Sequence, residues 1–211
     1  QGYKASPEDF RCVVATFLWV FPKATLWEPK PGGDYALVGF KGPLTFDLER
    51  IADRFGREEV RQDLRRVCVH RWEDALGYLI MGPEQLEALA RGAEPNTDDR
   101  ARLEFSTPRS VYQATRQSQL EMIREHRADP SALLLADVAD GDRRRGLEGE
   151  FKRVHRAHAL AAQGLRAWDD EEFTTAQELF EKAWEANPRH PNASWRLAKL
   201  YQVHGQHQVQ G

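Results

Sequence analysis

Residues 6–22 read SPEDFRCVVATFLWVFP, and this stretch decides how the first half of the chain folds. Ser6 can cap a helix, Pro7 suits the first helical position, and Asp9 can return a capping bond. Apolar residues then recur at helical spacing, at Phe10, Val13, Val14, Phe17, Leu18 and Phe21. Because such a stripe is stable only against a partner surface, we expect an amphipathic helix lying on a β-sheet.

Two short β-strands are predicted directly after this helix, at residues 24–27 and 35–40. The segment between them, residues 28–34, carries the prolines and glycines typical of a loop. A two-stranded hairpin is only marginally stable alone. We therefore expect this hairpin to be the edge of a larger sheet, whose other strands belong upstream or on another chain.

Helical periodicity dominates the sequence from Asp47 onward. Helices are predicted at 48–55, 60–67, 72–81, 83–90 and 111–127, with breaks at Gly56 and Gly82 and one brief strand at 103–105.

Composition excludes several classes of protein. The chain has 211 residues, 41% hydrophobic content and a net charge of -3 with interleaved signs, so no global field attracts nucleic acid or an anionic membrane. No apolar run approaches the roughly 18 residues that cross a bilayer. Cys12 and Cys68 lie in helix-like segments, and Cys68 is predicted in the core. We expect a cytoplasmic chain that does not contact a membrane itself.

Two adjacent acids, Asp98 and Asp99, stand in the irregular, Pro-flanked segment NTDDRARLEF at residues 96–105. In one interpretation, this pair holds a cationic substrate. In the other, the two carboxylates are satisfied by backbone amides in a turn or at a helix cap. Both interpretations remain open from the residues alone.

A set of motifs is shared with one known family. They are Gln1-Gly2-Tyr3, Ser6 to Arg11, Val20-Phe21-Pro22, Thr25-Leu26-Trp27, Tyr35 to Gly39, Thr97-Asp98-Asp99-Arg100 and Leu103-Glu104-Phe105 before Pro108-Arg109. With them, the first 110 residues resemble the C-terminal half of the spermidine synthase family, the polyamine aminopropyltransferases, in its bacterial branch that is often fused to membrane-spanning segments. The resemblance implies an α/β fold, the C-terminal half of a class I methyltransferase-like (Rossmann-like) domain with an edge hairpin. It also implies a parent protein anchored to the inner membrane.

For chemistry, the resemblance implies aminopropyl transfer from decarboxylated S-adenosylmethionine to a diamine. The family's Gly-rich cofactor loop, ribose-binding acid and catalytic Asp come from the first five strands, and no G-x-G-x-x-G follows a strand here. We therefore expect no catalytic, cofactor-binding or metal residue in this chain, and a fragment that is inactive in isolation. Gln1 would face the polyamine, and Asp98 and Asp99 would form a distal wall of its pocket.

The C-terminal part has a different character. Gly164, Ala176, Phe180, Ala183 and Pro188, and then Leu197, Ala198, Tyr201 and Gly205, fall at spacings that resemble a tetratricopeptide repeat. The small residues would let two antiparallel helices approach closely, while Phe180, Trp184 and Trp195 would fill the space between neighbouring turns. Residues 191–203 would act as a terminal cap, and a preceding helix at 147–163 would support the array. Within this helix, His155 and His158 are predicted on an exposed face rather than in a metal site.

These patterns divide the chain into a spermidine synthase-like domain at 1–110, a helical linker at 111–146 and a tetratricopeptide-like region at 147–211. One hypothesis is an enzyme-derived fragment with a polyamine or diamine as substrate. The alternative is a non-catalytic module whose repeat helices bind a peptide or protein partner, although so short an array could also be a packing appendage. The uncovered sheet edge and the apolar stripe of the first helix would also favour a homodimer.

Overall fold

The computed structural model describes residues 5–31, 33–110 and 116–209, excluding the side chains of residues 109, 110, 116 and 203–209. Gln1 and the first residues of the predicted helix at 111–127 lie outside this description. The chain divides into two compact units: Gln1–Thr45 with Leu79–Leu133 (unit 1), and Phe46–Tyr78 with Leu134–Gly211 (unit 2). The domain boundaries predicted at residues 110 and 146 stay a prediction.

The described elements are mostly helical. In chain order they are α1 (Pro7–Val20), β1 (Lys23–Trp27), β2 (Ala36–Phe40), α2 (Leu48–Gly56), α3 (Glu58–Arg66), α4 (Trp72–Leu76), β3 (Leu79–Met81), α5 (Pro83–Ala90), α6 (Arg102–Ser110), α7 (Arg116–His126), α8 (Ser131–Leu134), α9 (Gly141–Asp169), α10 (Phe173–Ala186) and α11 (Pro191–Val209). The strands form one antiparallel sheet in the order β2-β1-β3. The predicted helix and hairpin are confirmed, and the Rossmann-like assignment stays a proposal.

Helix α1 begins as the sequence predicts. The hydroxyl of Ser6 accepts a hydrogen bond from the backbone N–H of Asp9 at 3.1 Å, and Pro7 occupies the first turn. The predicted reciprocal bond from Asp9 is replaced, because its buried carboxylate accepts a hydrogen bond from the hydroxyl of Ser106 on α6. Asp9 therefore ties two helices together.

The core of unit 1 lies between α1, the sheet and helices α5 and α7. Its buried members are Phe10, Val14, Ala24, Leu26, Ile80, Met81, Leu86, Leu89 and Ile123. The apolar stripe of α1 is narrower than its spacing predicts, because Val13 is 39% exposed and Phe17 and Leu18 are only partly buried. A sheet of three short strands covers only part of the helix face.

Two predictions of local structure are wrong. The helix expected at 72–81 ends at Leu76, and Leu79–Met81 forms β3. Met81 of this strand pairs with Leu26 of β1. A short apolar run cannot be assigned from periodicity alone, and here tertiary pairing decides. The strand expected at 103–105 is part of helix α6, because the side-chain oxygen of Asn96 accepts a hydrogen bond from the N–H of Leu103 at 3.0 Å.

In unit 2, the 29-residue helix α9 packs along α10, and α11 follows. Gly164 makes the close approach possible, since a Cβ at this position would lie 2.8 Å from the fully buried ring of Phe180. Trp184 and Trp195 are predicted to fill the space between neighbouring turns, but they are 47% and 53% exposed. The fully buried positions of these helices are instead taken by Phe180 and by small residues such as Ala176 and Ala183.

Cys68 is also placed differently from its prediction. It follows the end of α3, its φ is 60°, and its side chain is exposed rather than in the core. Within the described ranges, none of the helices combines the length and the apolar character that crossing a bilayer requires.

Candidate functional site

The predicted acid pair lies at the tip of a two-residue turn in unit 1. Thr97 and Arg100 pair on either side of this turn, and the N–H of Arg100 donates to the carbonyl of Thr97 at 3.0 Å. Asp98 and Asp99 are both exposed. The structure therefore presents two carboxylates on the surface, and it does not bring Gln1 to them because Gln1 lies outside the described residues.

Asn96 fixes this turn to the rest of unit 1. Its backbone N–H donates to the hydroxyl of Thr16 on α1 at 2.8 Å, while its side chain caps α6. A pinned turn with two exposed carboxylates can attract a cation by charge, but high dielectric and mobile counterions weaken such an attraction.

Unit 2 contains a buried pair of histidines that sequence reasoning missed. His158 on α9, predicted on an exposed face, is 1% exposed, and its Nδ1 lies 3.2 Å from Nε2 of His190. The N–H of Ala193 donates to Nδ1 of His190 at 3.4 Å. His190 therefore donates through Nε2 to His158, and its imidazole caps the N-terminus of α11.

Tyr78 and Asp74 complete this buried polar cluster. The ring of Tyr78 lies 5.3 Å from that of His158, and the amide of Asn187 donates to Asp74 at 3.0 Å. Burial, reinforced by the charges of Asp74 and Cys68, raises the pKa of Tyr78 to about 12. Burial also raises the pKa of Asp74 above its usual value. Across the described part of the chain, no three His, Cys, Asp or Glu side chains are grouped as metal ligands. This cluster is a structural network that fixes α4 and α11 against α9.

A second feature of unit 2 is an exposed ladder of aromatic and cationic side chains. Phe173 stacks edge-on against Trp168 with 5.4 Å between ring centroids. The guanidinium of Arg196 lies 4.8 Å from the ring centroid of Trp168 and 4.8 Å from that of Trp195, and Nζ of Lys199 lies 4.6 Å from the ring of Trp195. We call this set the cation–aromatic ladder. Three of its members, Trp195, Arg196 and Lys199, belong to α11.

The ladder contains two cations without a direct ion pair. Among the side chains that the structure describes, neither Arg196 nor Lys199 forms an ion pair or a side-chain hydrogen bond. Partial burial lowers the pKa of Arg196, and the charge of Asp169 opposes this shift. The Trp-Arg pair followed by Lys at 199 was a visible signal in the sequence, since residues four apart lie on one helix face.

The antiparallel helices α9 to α11 place this part of the chain in the class of helical-repeat structures. Residues 167–208, about a fifth of the chain, match the family model described as Tetratricopeptide repeat. The predicted resemblance of the tail is thereby confirmed. No curated protein and no solved structure matches the chain. The resemblance of the first 110 residues to aminopropyltransferases rests on sequence motifs alone.

Proposed function

We propose that this chain is a protein-interaction module and that helices α9 to α11 bind a peptide segment of a partner protein. The observation that carries this proposal is the tetratricopeptide repeat at residues 167–208. Repeats of this kind expose continuous helical surfaces, and their default use is to bind a peptide or a partner helix.

The side chains divide between the interior and the surface in a way that supports this proposal. The buried contacts between these helices use small or apolar residues, such as Ala176, Phe180 and Ala183. The large side chains of Trp184, Trp195 and Tyr201 remain about half exposed. Tryptophan, tyrosine and arginine are the residues that contribute most to binding at protein interfaces. Exposed side chains of these types on a repeat are therefore available for contact with a partner.

A peptide-library selection with the full chain tests this function. We expect selected peptides to bind saturably and to slow amide hydrogen exchange in α9 to α11. Gly164→Leu, which forces a side chain into the ring of Phe180, should abolish binding, whereas Gly149→Ala, with open space around its Cβ, should not. Protection confined to unit 1, or equal binding by both variants, would contradict the proposal.

A second candidate function concerns unit 1. We propose that it derives from an aminopropyltransferase domain, which in its complete form would use decarboxylated S-adenosylmethionine as co-substrate and a polyamine or diamine as acceptor. Its support is the set of shared motifs and the order of helix α1 followed by the β1–β2 hairpin. In this proposal, Gln1, Asp98 and Asp99 contribute to the amine site, and the chain on its own has no transfer activity.

Calorimetric titration with putrescine and with 5'-methylthioadenosine tests this second candidate. We expect putrescine binding to depend on the acid pair, so that Asp98→Asn together with Asp99→Asn abolishes it. Asp142→Asn, which removes an exposed acid from α9, is the matched control. Identical titrations for all variants would exclude the acid pair from the amine site. A homodimer through the sheet edge is proposed as well, and a strictly monomeric sedimentation profile would exclude it.

A further inference from the structure

We propose that the cation–aromatic ladder recognises an acidic segment of the partner, with Arg196 and Lys199 binding its carboxylates. This inference rests on the proposed interaction function and specifies the chemistry of the partner.

Two aromatic rings lie against the guanidinium of Arg196. Its guanidinium lies at the same distance, 4.8 Å, from the rings of Trp168 and Trp195. Contacts of this kind occupy the faces of a planar guanidinium and leave its N–H donors directed outward in the plane. A guanidinium fixed in this way loses little conformational entropy when a carboxylate binds to it in bidentate geometry.

Helices α10 and α11 differ in the sign of their charged side chains. Helix α11 contains no aspartate or glutamate, whereas it carries Arg196 and Lys199. Helix α10 has the opposite character, with Glu178, Glu181 and Glu185 against a single lysine. The cations of α11 are therefore not cancelled on their own helix, and a partly buried guanidinium without a described ion-pair partner gains most from an incoming carboxylate.

A single-stranded nucleic acid can also bind to aromatic and basic surfaces, but the ladder fits an acidic peptide better. Nucleic acids use open aromatic faces as stacking platforms and a long basic groove that follows the backbone. Here the guanidinium of Arg196 lies over the rings of Trp168 and Trp195, and Nζ of Lys199 lies over that of Trp195, so the cations compete with bases for these rings. The chain as a whole has a net charge of -3. Two cations held over aromatic rings match a short run of carboxylates better than a polyphosphate backbone.

The test is a fluorescence anisotropy titration of the full chain with a labelled peptide of alternating glutamate and serine. Its matched probe has glutamine in place of glutamate. We expect the acidic probe to bind and the neutral one not to bind. Arg196→Gln and Lys199→Gln should each weaken binding about tenfold, because each removes a charge-assisted hydrogen bond.

Lys182→Gln is the matched control, since it removes the same charge from the same repeat, but at a lysine that lies 3.8 Å from Glu178 on α10. We expect this variant to change binding less than about twofold. An equal loss for Lys182→Gln and Arg196→Gln would mean unspecific attraction and would overturn the inference. Tighter binding of a single-stranded RNA than of the acidic probe would overturn it too.

The outcomes for the two proposals are separable. If the acidic probe does not bind while library-selected peptides still protect α9 to α11 from exchange, the inference about acidic partners fails and the interaction function stands. If no peptide of either kind binds, both fail. Circular dichroism of each variant shows that a loss of binding is not a loss of the helices.

Discussion

Replacing Gly164 with alanine should destabilise unit 2, although glycine is a poor residue for a helix interior. Alanine is favoured over glycine by about 1 kcal/mol at an ordinary helical position. At position 164 the added methyl group would lie 2.8 Å and 2.9 Å from two carbons of the Phe180 ring, which has no solvent exposure. Overpacking of this kind costs about 1–3 kcal/mol.

The gain in helix propensity and the overpacking cost together predict that Gly164→Ala lowers the free energy of unfolding by up to about 2 kcal/mol. A second substitution, Phe180→Leu, distinguishes the steric cost from the gain in helix propensity, because it removes the ring atoms that the methyl group would meet. In that background the steric cost disappears, and Gly164→Ala should raise the free energy of unfolding by about 1 kcal/mol. The sign of the effect of one methyl group thus depends on a residue in another helix.

Urea denaturation followed by circular dichroism measures the wild type, Gly164→Ala, Phe180→Leu and the double variant. The dependence of the free energy of unfolding on urea concentration should be the same for all four, which verifies that the unfolding transition is unchanged. Gly149→Ala on the same helix is the control, because a Cβ there meets nothing within 4 Å, and it should stabilise by about 0.5–1 kcal/mol. If Gly164→Ala stabilises the wild-type chain as much as Gly149→Ala does, the close approach of α9 and α10 is refuted.

Three further outcomes follow from buried polar groups. His190→Ala should lower the free energy of unfolding by about 1–2 kcal/mol, because the N–H of Ala193 loses its cap, and His190→Asn should recover part of this loss in thermal unfolding. The free energy of unfolding should fall by roughly 2–3 kcal/mol as pH rises from 10 to about 12, since the unfolded chain releases the Tyr78 proton before the folded chain does. Tyr78→Phe should remove this contribution. An unchanged dependence of the free energy of unfolding on pH in Tyr78→Phe would contradict the prediction. Arg127→Met should cost about 3–5 kcal/mol because it removes the ion pair to the 1% exposed Glu28, and adding Glu28→Leu should restore most of this loss in denaturant titrations. A double variant as unstable as Arg127→Met alone would contradict that explanation.

The sequence predicts features that local chemistry controls. The cap at Ser6, the α1 helix and the β1–β2 hairpin follow from residues that interact with their own neighbours. The repeat in the tail is equally visible, because the spacing of Gly164 and Phe180 encodes a contact within one supersecondary unit.

Features that depend on distant residues could not be predicted in the same way. Leu79–Met81 becomes a strand only because β1 offers it a partner, and β1 is far away in the sequence. His158 is buried because His190 and Tyr78 surround it, and no spacing on α9 records these neighbours. The cation–aromatic ladder was not predicted, for a related reason. Tryptophan is usually counted as a core residue, and only the packing of α11 shows that Leu197 and Leu200 are buried while Trp195 stays about half exposed.

The division of unit 2 into two separate segments has a consequence for how the protein is made. Trp72 on α4 packs against Phe151 on α9, with 5.9 Å between ring centroids, but Leu79–Leu133 lies between them in the chain. A ribosome adds about 5–20 residues per second, so it takes several seconds to synthesise roughly 55 residues. During this interval the nascent helices at 46–78 have left the ribosome without their packing partners. We therefore expect chaperones to engage this segment during translation, and synonymous codon changes within 79–133 to alter the yield of folded protein without changing one amino acid.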